Sequence, residues 1–189
     1  MDYGQINKNS IKIIEVLGDG KSYFSEIYEK TKIKSKNNLL KNLQVLTSGK
    51  ILIKDKKKSN TFYSINYSNA LSIAVLNLIN CTRFEGLLFN VKKSILESIF
   101  SLKPRMAILF GSYAKGNYKK ESDVDLLFFD ALKSHKKIKE ISKSYGVQLN
   151  VVFMELKKLD LNSESLRHIF KTGYPLVGGE YFYNETRKI

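Results

Sequence analysis

The chain has a single cysteine, Cys81, so no internal disulfide can form. That fits a reducing compartment, and cytoplasm is the expected location. No apolar run reaches the length needed to span a bilayer, so no membrane association is expected. The opening segment MDYGQINKNS has no apolar core and does not read as a signal peptide. His135 and His168 stand apart, with no Cys or His at zinc spacing, and read as surface or helix-packing residues. Cys81 reads as a buried or half-buried thiol with no neighbouring base. There is no internal repeat and no long low-complexity segment. Acid is scarce: 18 Asp and Glu stand against 32 Lys and Arg, for a formal net charge of +14.

What is present is enough for folded cores. The 189 residues are 43% hydrophobic and 12% aromatic, room for one large domain or two small ones. The positive charge favours a polyanionic partner or an anionic substrate, although a general lysine bias gives the same total. Its distribution is uneven. Residues 32–58 hold nine lysines and one acid, Asp55.

Apolar spacing predicts a helix over 10–18, with Ile11, Ile14 and Leu17 on one side, stopped by Gly18 and Gly20. A second helix is expected over 22–31, capped by Ser22. A third is expected over 36–48, capped by Ser35, with Leu39, Leu40, Leu43 and Leu46 facing inward and Gly49 ending it. Two short strands follow, Ile51–Asp55 and Thr61–Asn66, joined by the polar loop KKKSN. Three small helices and a hairpin make a winged helix-turn-helix layout. In that layout Lys34, Lys36, Asn37, Asn38, Lys41 and Asn42 are the exposed early residues of a recognition helix, and Lys56, Lys57 and Lys58 form a basic wing tip. Lysines suit phosphates and asparagines suit adenine edges, so double-stranded DNA is an expected partner. A winged helix serving protein interaction, with a solvated lysine face, is the competing reading.

Residues 70–101 read as helical, with Leu71, Val75 and Leu78 and then Phe84, Leu88, Val91, Ile95 and Ile99 as apolar positions, and a polar break at Asn80–Arg83. The segment 71–83 reads as a connector able to pair with a second copy. Pro104 closes the region. Three strands are then expected at Met106–Phe110, Asp123–Phe129 and Val147–Met154, with a helix over Ser134–Gly146 between the last two. SESLRHIFKTG reads as a further helix, the tail around Gly178–Gly179 as loop or edge strand, and Tyr181–Tyr183 as packing or an oligomer contact. The fold class is therefore α/β in two domains. A winged helix-turn-helix over 1–70 and a helical connector over 71–83 precede a small α/β domain with a short mixed sheet over 84–189.

The chemistry concentrates in FGSYAKGNYKKESDVDLLFF, Phe110 to Phe129. Residues two apart in a strand share a face, so Asp123 and Asp125 point the same way. Two such carboxylates repel unless a cation lies between them. Magnesium suits oxygen ligands and also carries substrate phosphates. Gly111 ends the preceding strand and lets phosphate approach the backbone, and the Ser112 hydroxyl can hold it. Lys115, Lys119 and Lys120 add positive charge on the intervening loop. A D-x-D alone is weak; joined to an apolar strand ending in glycine–serine it is far more specific. The bland alternative is a capped turn and a salt bridge.

This pattern resembles the DNA polymerase β-like nucleotidyltransferase superfamily, closest to its minimal nucleotidyltransferases, over about 84–176. The resemblance implies that Ser112 binds phosphate, that Asp123 and Asp125 bind Mg2+ or Mn2+, and that a nucleoside triphosphate is the substrate or ligand. It also implies a third carboxylate on a neighbouring strand, and the matching position holds Asn150. An amide carries no charge and cannot act as a general base. Glu155 and Asp130 have the wrong side-chain parity to replace it. Small relatives act as antitoxins that modify a tyrosine on a helical toxin, which implies a partner of that type here. Two readings stand: a DNA-binding nucleotidyltransferase, and a catalytically inactive fold serving as a transcriptional regulator or interaction module.

Overall fold

The computed structural model describes residues 6–18, 20–57 and 60–188. The chain divides into two compact units between Ile79 and Asn80.

In the first unit, α1 (Lys8–Gly18), α2 (Phe24–Thr31) and α3 (Lys36–Ser48) pack through Ile13, Ile14, Leu17, Ile27, Leu39, Leu43 and Leu46, all essentially buried. The strands β1 (Ser22–Tyr23), β2 (Leu52–Lys57) and β3 (Asn60–Ile65) form an antiparallel sheet in the order β1-β3-β2. Ser35 caps α3 as expected, its hydroxyl accepting the Asn38 N–H at 3.4 Å.

Several expectations for this unit change. Ser22 is no cap; it is buried and pairs with Tyr63, so α2 starts two residues later behind Tyr23. Leu40 is 42% exposed and lies off the buried stripe of α3. Lys56 and Lys57 belong to β2, opposite Thr61 and Asn60, because the strand pairing extends beyond Asp55. Lys58 lies outside the described residues. Asn42 is buried, not exposed. Its Oδ1 accepts the Ser10 hydroxyl at 3.1 Å, and its Nδ2 donates to the Asn38 backbone oxygen at 2.8 Å and side-chain oxygen at 2.7 Å. A buried amide needs such partners, and these orient Asn42 toward α1.

Helix α4 (Ala70–Glu85) runs unbroken through Asn80–Arg83; the chain breaks at 86–88 instead, before α5 (Phe89–Leu102). The buried side of α4 is Ser72, Val75, Leu76 and Ile79, spaced as one helical face, while Leu71 and Leu78 are exposed. Cys81 is also exposed.

The second unit is a layered sheet. Its strands are β4 (Met106–Phe110), β5 (Val124–Phe129), β6 (Leu149–Met154) and β7 (Tyr174–Val177), in the order β6-β5-β4-β7. β5 and β6 run parallel, while β4 runs antiparallel to both β5 and β7. The parallel pair needs a crossover, and α7 (His135–Tyr145) supplies it between the Ser134 cap and left-handed Gly146. Both central strands are buried on both sides, which explains their unbroken apolar runs. Ala107, Leu109, Leu126 and Phe128 share a cluster with Val91, Ile95 and Leu102 of α5 and with Ile138 and Ile141 of α7. From the alternate positions, Phe129 meets Phe170 of α8 (Glu164–Thr172), which stacks on Phe182 of α9 (Gly179–Thr186). The expected edge strand is β7, which ends at Val177; from Gly178, with φ 71, the tail turns into α9, and Phe182 and Tyr183 are core residues.

Helices α5 and α7 are also joined by polar groups. The Tyr145 hydroxyl donates to Glu97 at 2.8 Å, and Lys137 pairs with the same carboxylate at 3.4 Å. The Tyr145 hydrogen bond is the main reason that Glu97 is held below the usual carboxylate range.

The buried role of Asn42 gives a direct test. Asn42→Ala should lower the unfolding free energy by roughly 1–3 kcal/mol, since it removes buried hydrogen bonds. Urea denaturation would measure the loss; an unchanged midpoint would mean that the amide is not structural.

Candidate functional site

The site forms where β4 ends. β4 and β5 pair so that Phe110 lies opposite Asp125. The next residue, Gly111, has φ 71 and starts the short helix α6 (Gly111–Lys115). A Cβ at Gly111 would collide with the Asp125 carboxylate. Glycine is thus required twice over, by its left-handed backbone and by the nearness of Asp125.

The parallel pairing of β5 with β6 builds the other side. Asp125 lies beside Asn150, and Val124 beside Leu149. Asn150 Nδ2 donates to Asp125 Oδ1 at 2.9 Å. Two residues earlier, Gln148 Nε2 donates to Asp123 Oδ2 at 3.4 Å. Val124, between the aspartates, is fully buried on the opposite side. Asp123, Gln148 and Asn150 are exposed, Asp125 and Ser112 half-buried. The approach to Asp123 is fixed by Ser122, whose hydroxyl accepts the Lys119 N–H at 2.8 Å.

The structure brings together Gly111, Asp125 and Asn150, with Asp123 hydrogen-bonded to Gln148 just before the same two strands, which begin at Val124 and Leu149 and not at the expected Asp123 and Val147. Ser112 follows Gly111 in α6. Lys115 closes that helix and is exposed, its Nζ 3.4 Å from His168 Nε2. His168 therefore has a cationic neighbour that its sequence surroundings did not reveal.

The other two acids are engaged elsewhere. Asp130 Oδ1 accepts the Leu156 N–H at 3.0 Å. Glu155 pairs with Lys157 and Lys158, each at 2.9 Å, and hydrogen bonds from these lysines bring its pKa down to about 2. Among the described residues, no three His, Cys, Asp or Glu side chains converge to hold a metal. Two carboxylates still match a single magnesium, which commonly takes one or two protein carboxylates and completes its shell with phosphate and water. The donor set lacks the third charge that a two-metal site uses.

Arg83, Tyr113, Lys115, Tyr118 and Tyr174 line a neighbouring cavity of about 370 Å³. Tyr113 stacks on Tyr118 at 4.2 Å, and the Arg83 guanidinium covers the Tyr174 ring at 5.3 Å. The Tyr174 hydroxyl is buried without a hydrogen-bond partner among the described residues, and burial pushes its pKa up to about 12. Sequence reasoning missed Gln148, Arg83 and Tyr174. Gln148 was open to the same two-residue alternation that placed Asn150; the other two come together only through the tertiary fold.

In the first unit, Lys34, Lys36, Asn37, Asn38 and Lys41 are exposed along the start of α3. Lys36 lies over the Tyr28 ring at 5.7 Å. Lys56 and Lys57 are exposed on β2, with Lys57 3.8 Å from Asp55.

The clash at Gly111 predicts that Gly111→Ala displaces Asp125. Mn2+ binding followed by electron paramagnetic resonance should weaken at least ~10-fold while far-ultraviolet circular dichroism stays unchanged, a loss equal to about 1.4 kcal/mol. Wild-type affinity in the variant would remove Asp125 from the site.

The nucleotidyltransferase domain family matches residues 91–171. Two proteins of Methanocaldococcus jannaschii, each named "Putative protein adenylyltransferase", are similar to this chain. One is 38% identical over 64 residues, 32% of this chain and 65% of that protein. The other is 33% identical over 95 residues, 44% of this chain and 95% of that protein. Among solved structures, a toxin–antitoxin crystal structure with AMP-PNP aligns at 19% identity over 53% of this chain and 86% of that one, with a TM-score of 0.38. A winged helix-turn-helix DNA-binding domain from Mycobacterium bovis aligns at 21% identity over 43% of this chain and 73% of that one, with a TM-score of 0.35.

Proposed function

The chain belongs to the nucleotidyltransferase family, and on that premise we propose that it transfers a nucleoside monophosphate from a triphosphate to a hydroxyl group. The observation that carries the reading is the meeting of Gly111, Asp125 and Asn150 at one end of the sheet, with Asp123 two residues before Asp125.

Asp123 and Asp125 would hold one magnesium, which supplies charge to offset the triphosphate and polarise its α-phosphate. Gly111 leaves room for phosphate beside the backbone, and the Ser112 hydroxyl and Lys115 ammonium are suited to bind phosphate oxygens. The acceptor oxygen forms a bond to the α-phosphorus as the bond to the bridging oxygen breaks, and pyrophosphate leaves. The acceptor proton goes to solvent, because the Asn150 amide cannot take it. Such a site orients and neutralises more than it deprotonates, so transfer is slow or needs an acidic acceptor. A phenol meets that need better than an aliphatic alcohol. The relatives' names, putative protein adenylyltransferases, point to a protein acceptor, and the hydroxyl of a tyrosine on a helical toxin-type partner would be such an acceptor.

The hydrogen bond from Asn150 to Asp125 favours a second reading. A carboxylate already satisfied by an amide has less need of a cation. In that case the domain binds nucleotide without chemistry, and the chain acts as a DNA-binding regulator. Either reading uses the first unit as a winged helix, with Lys34, Lys36, Asn37, Asn38 and Lys41 on the recognition helix and Lys56 and Lys57 on the wing. Asn42 drops out because it is buried.

Incubation with labelled ATP, magnesium and a tyrosine-containing acceptor separates these readings. Labelling that disappears in Asp123→Asn and Asp125→Asn supports transfer; nucleotide binding without labelled product supports the regulator. Asn150→Asp should raise transfer at least ~10-fold if the missing charge limits the rate, about 1.4 kcal/mol of barrier.

DNA binding should weaken steeply as salt rises, and Lys56→Gln with Lys57→Gln should flatten that slope by about one unit per lost phosphate contact. A salt-independent interaction would sink the DNA assignment.

A further inference from the structure

Helix α5 has two apolar sides, and the fold uses one. Val91, Ser94, Ile95, Ser98 and Leu102 are buried. At about 100° per residue, Phe89, Leu96 and Phe100 fall within ~20° of a single line on the opposite side. They are 66%, 36% and 75% exposed. A surface helix of a soluble domain ordinarily has a polar side facing away from its core. Here that side holds two phenylalanines and a leucine.

The spacing narrows what could cover it. Phe89, Lys93, Leu96 and Phe100 are separated by steps of four, three and four, the d-a-d-a order of a heptad seam. Lys93 occupies a position within that seam, its Nζ 5.6 Å from the Phe89 ring. The one acid of α5, Glu97, is engaged by Tyr145 and Lys137. Lys92 is paired with Glu85 at 2.8 Å. Lys93 has no carboxylate partner among the described residues.

We propose that this face of α5 docks an amphipathic helix of a partner protein, one that places a carboxylate opposite Lys93. A helix fits better than a lipid surface because the stripe is a narrow seam, whereas a membrane-lying helix presents a broad apolar side. A foreign partner fits better than a second copy for two reasons. Parallel self-pairing would set Lys93 against Lys93, and a chain of net charge +14 resists association with itself. A seam lysine is costly unless the partner answers it, and so selects the partner and its register.

The test uses the full-length chain and a fluorescein-labelled synthetic helix of about three heptads, with a leucine seam and one glutamate opposite Lys93. A matched peptide carries lysine in place of that glutamate. The glutamate peptide should bind at least ~10-fold more tightly by anisotropy, a preference of about 1.4 kcal/mol. Phe100→Ser should abolish binding without moving the melting temperature, and Lys93→Glu should reverse the preference between the two peptides. Equal binding of both peptides, or none, overturns the proposal. So does a self-associated species in sedimentation that Phe100→Ser dissolves, or binding to phosphatidylserine vesicles lost on that substitution. Protection of the stripe from hydrogen exchange in the free monomer would also overturn it, by showing that the chain covers its own seam.

Discussion

The pairing of β5 with β6 fixes the register on which the site depends. Their parallel ladder sets Asp125 beside Asn150 and leaves Val124 and Leu126 in the core. A slip of one residue would turn every side chain to the other face and bury a carboxylate. The apolar alternation therefore protects the polar alternation. The same constraint reaches β4, where Phe110 opposite Asp125 delivers Gly111 to the carboxylate. Three segments distant in sequence meet at one sheet end without any of them being strained for the purpose beyond a glycine turn.

Those packing needs explain why the second unit tolerates so open a site. Met106 to Leu109 and Leu126 to Phe129 are buried between α5 and α7 on one side and α8 and α9 on the other. Full burial of large apolar side chains contributes about 1.5–3 kcal/mol each relative to exposure. Against that background, an exposed aspartate and two exposed amides at the strand ends cost little. Polar groups that would be costly inside the sheet are left at its rim, where solvent can reach them.

Much of this layout was legible in the chain. A strand covered on both sides has to be continuously apolar, and MAILF and VDLLFF are. Ser35, Ser134 and Gly146 mark helix ends through local chemistry alone. The failures have a common cause. Ser22 and Asn42 are polar residues whose burial is determined by distant partners, Tyr63 for one and Ser10 for the other. Gly178 was ambiguous because a left-handed glycine can start a helix as well as end one. In the site itself, the two-residue alternation that paired Asn150 with the aspartates also held Gln148, whose neutrality hid it. Arg83 and Tyr174, 91 positions apart in the chain, could be associated only by the fold.

Asn150 has two opposed consequences, and their balance decides what the domain can do. Its N–H satisfies Asp125 and keeps the carboxylate oriented, which favours an ordered phosphate site. Its lack of charge leaves Asp123 and Asp125 as the two carboxylates at this strand end. Coulomb repulsion among carboxylates makes each added charge harder to hold without a cation, so a site with one fewer is easier to fold empty and less eager for metal. Under the proposed function, an amide here in place of an acid would trade attraction for metal against order in its absence. Triphosphate brings four negative charges of its own in rough terms, and with Lys115, Lys119 and Lys120 nearby in sequence the chain offers positive charge to meet them. On the proposed function, nucleotide binding would therefore depend less on charge at position 150 than transfer would. Substitutions at Asn150 should separate affinity from turnover, whereas substitutions at Gly111 should remove both.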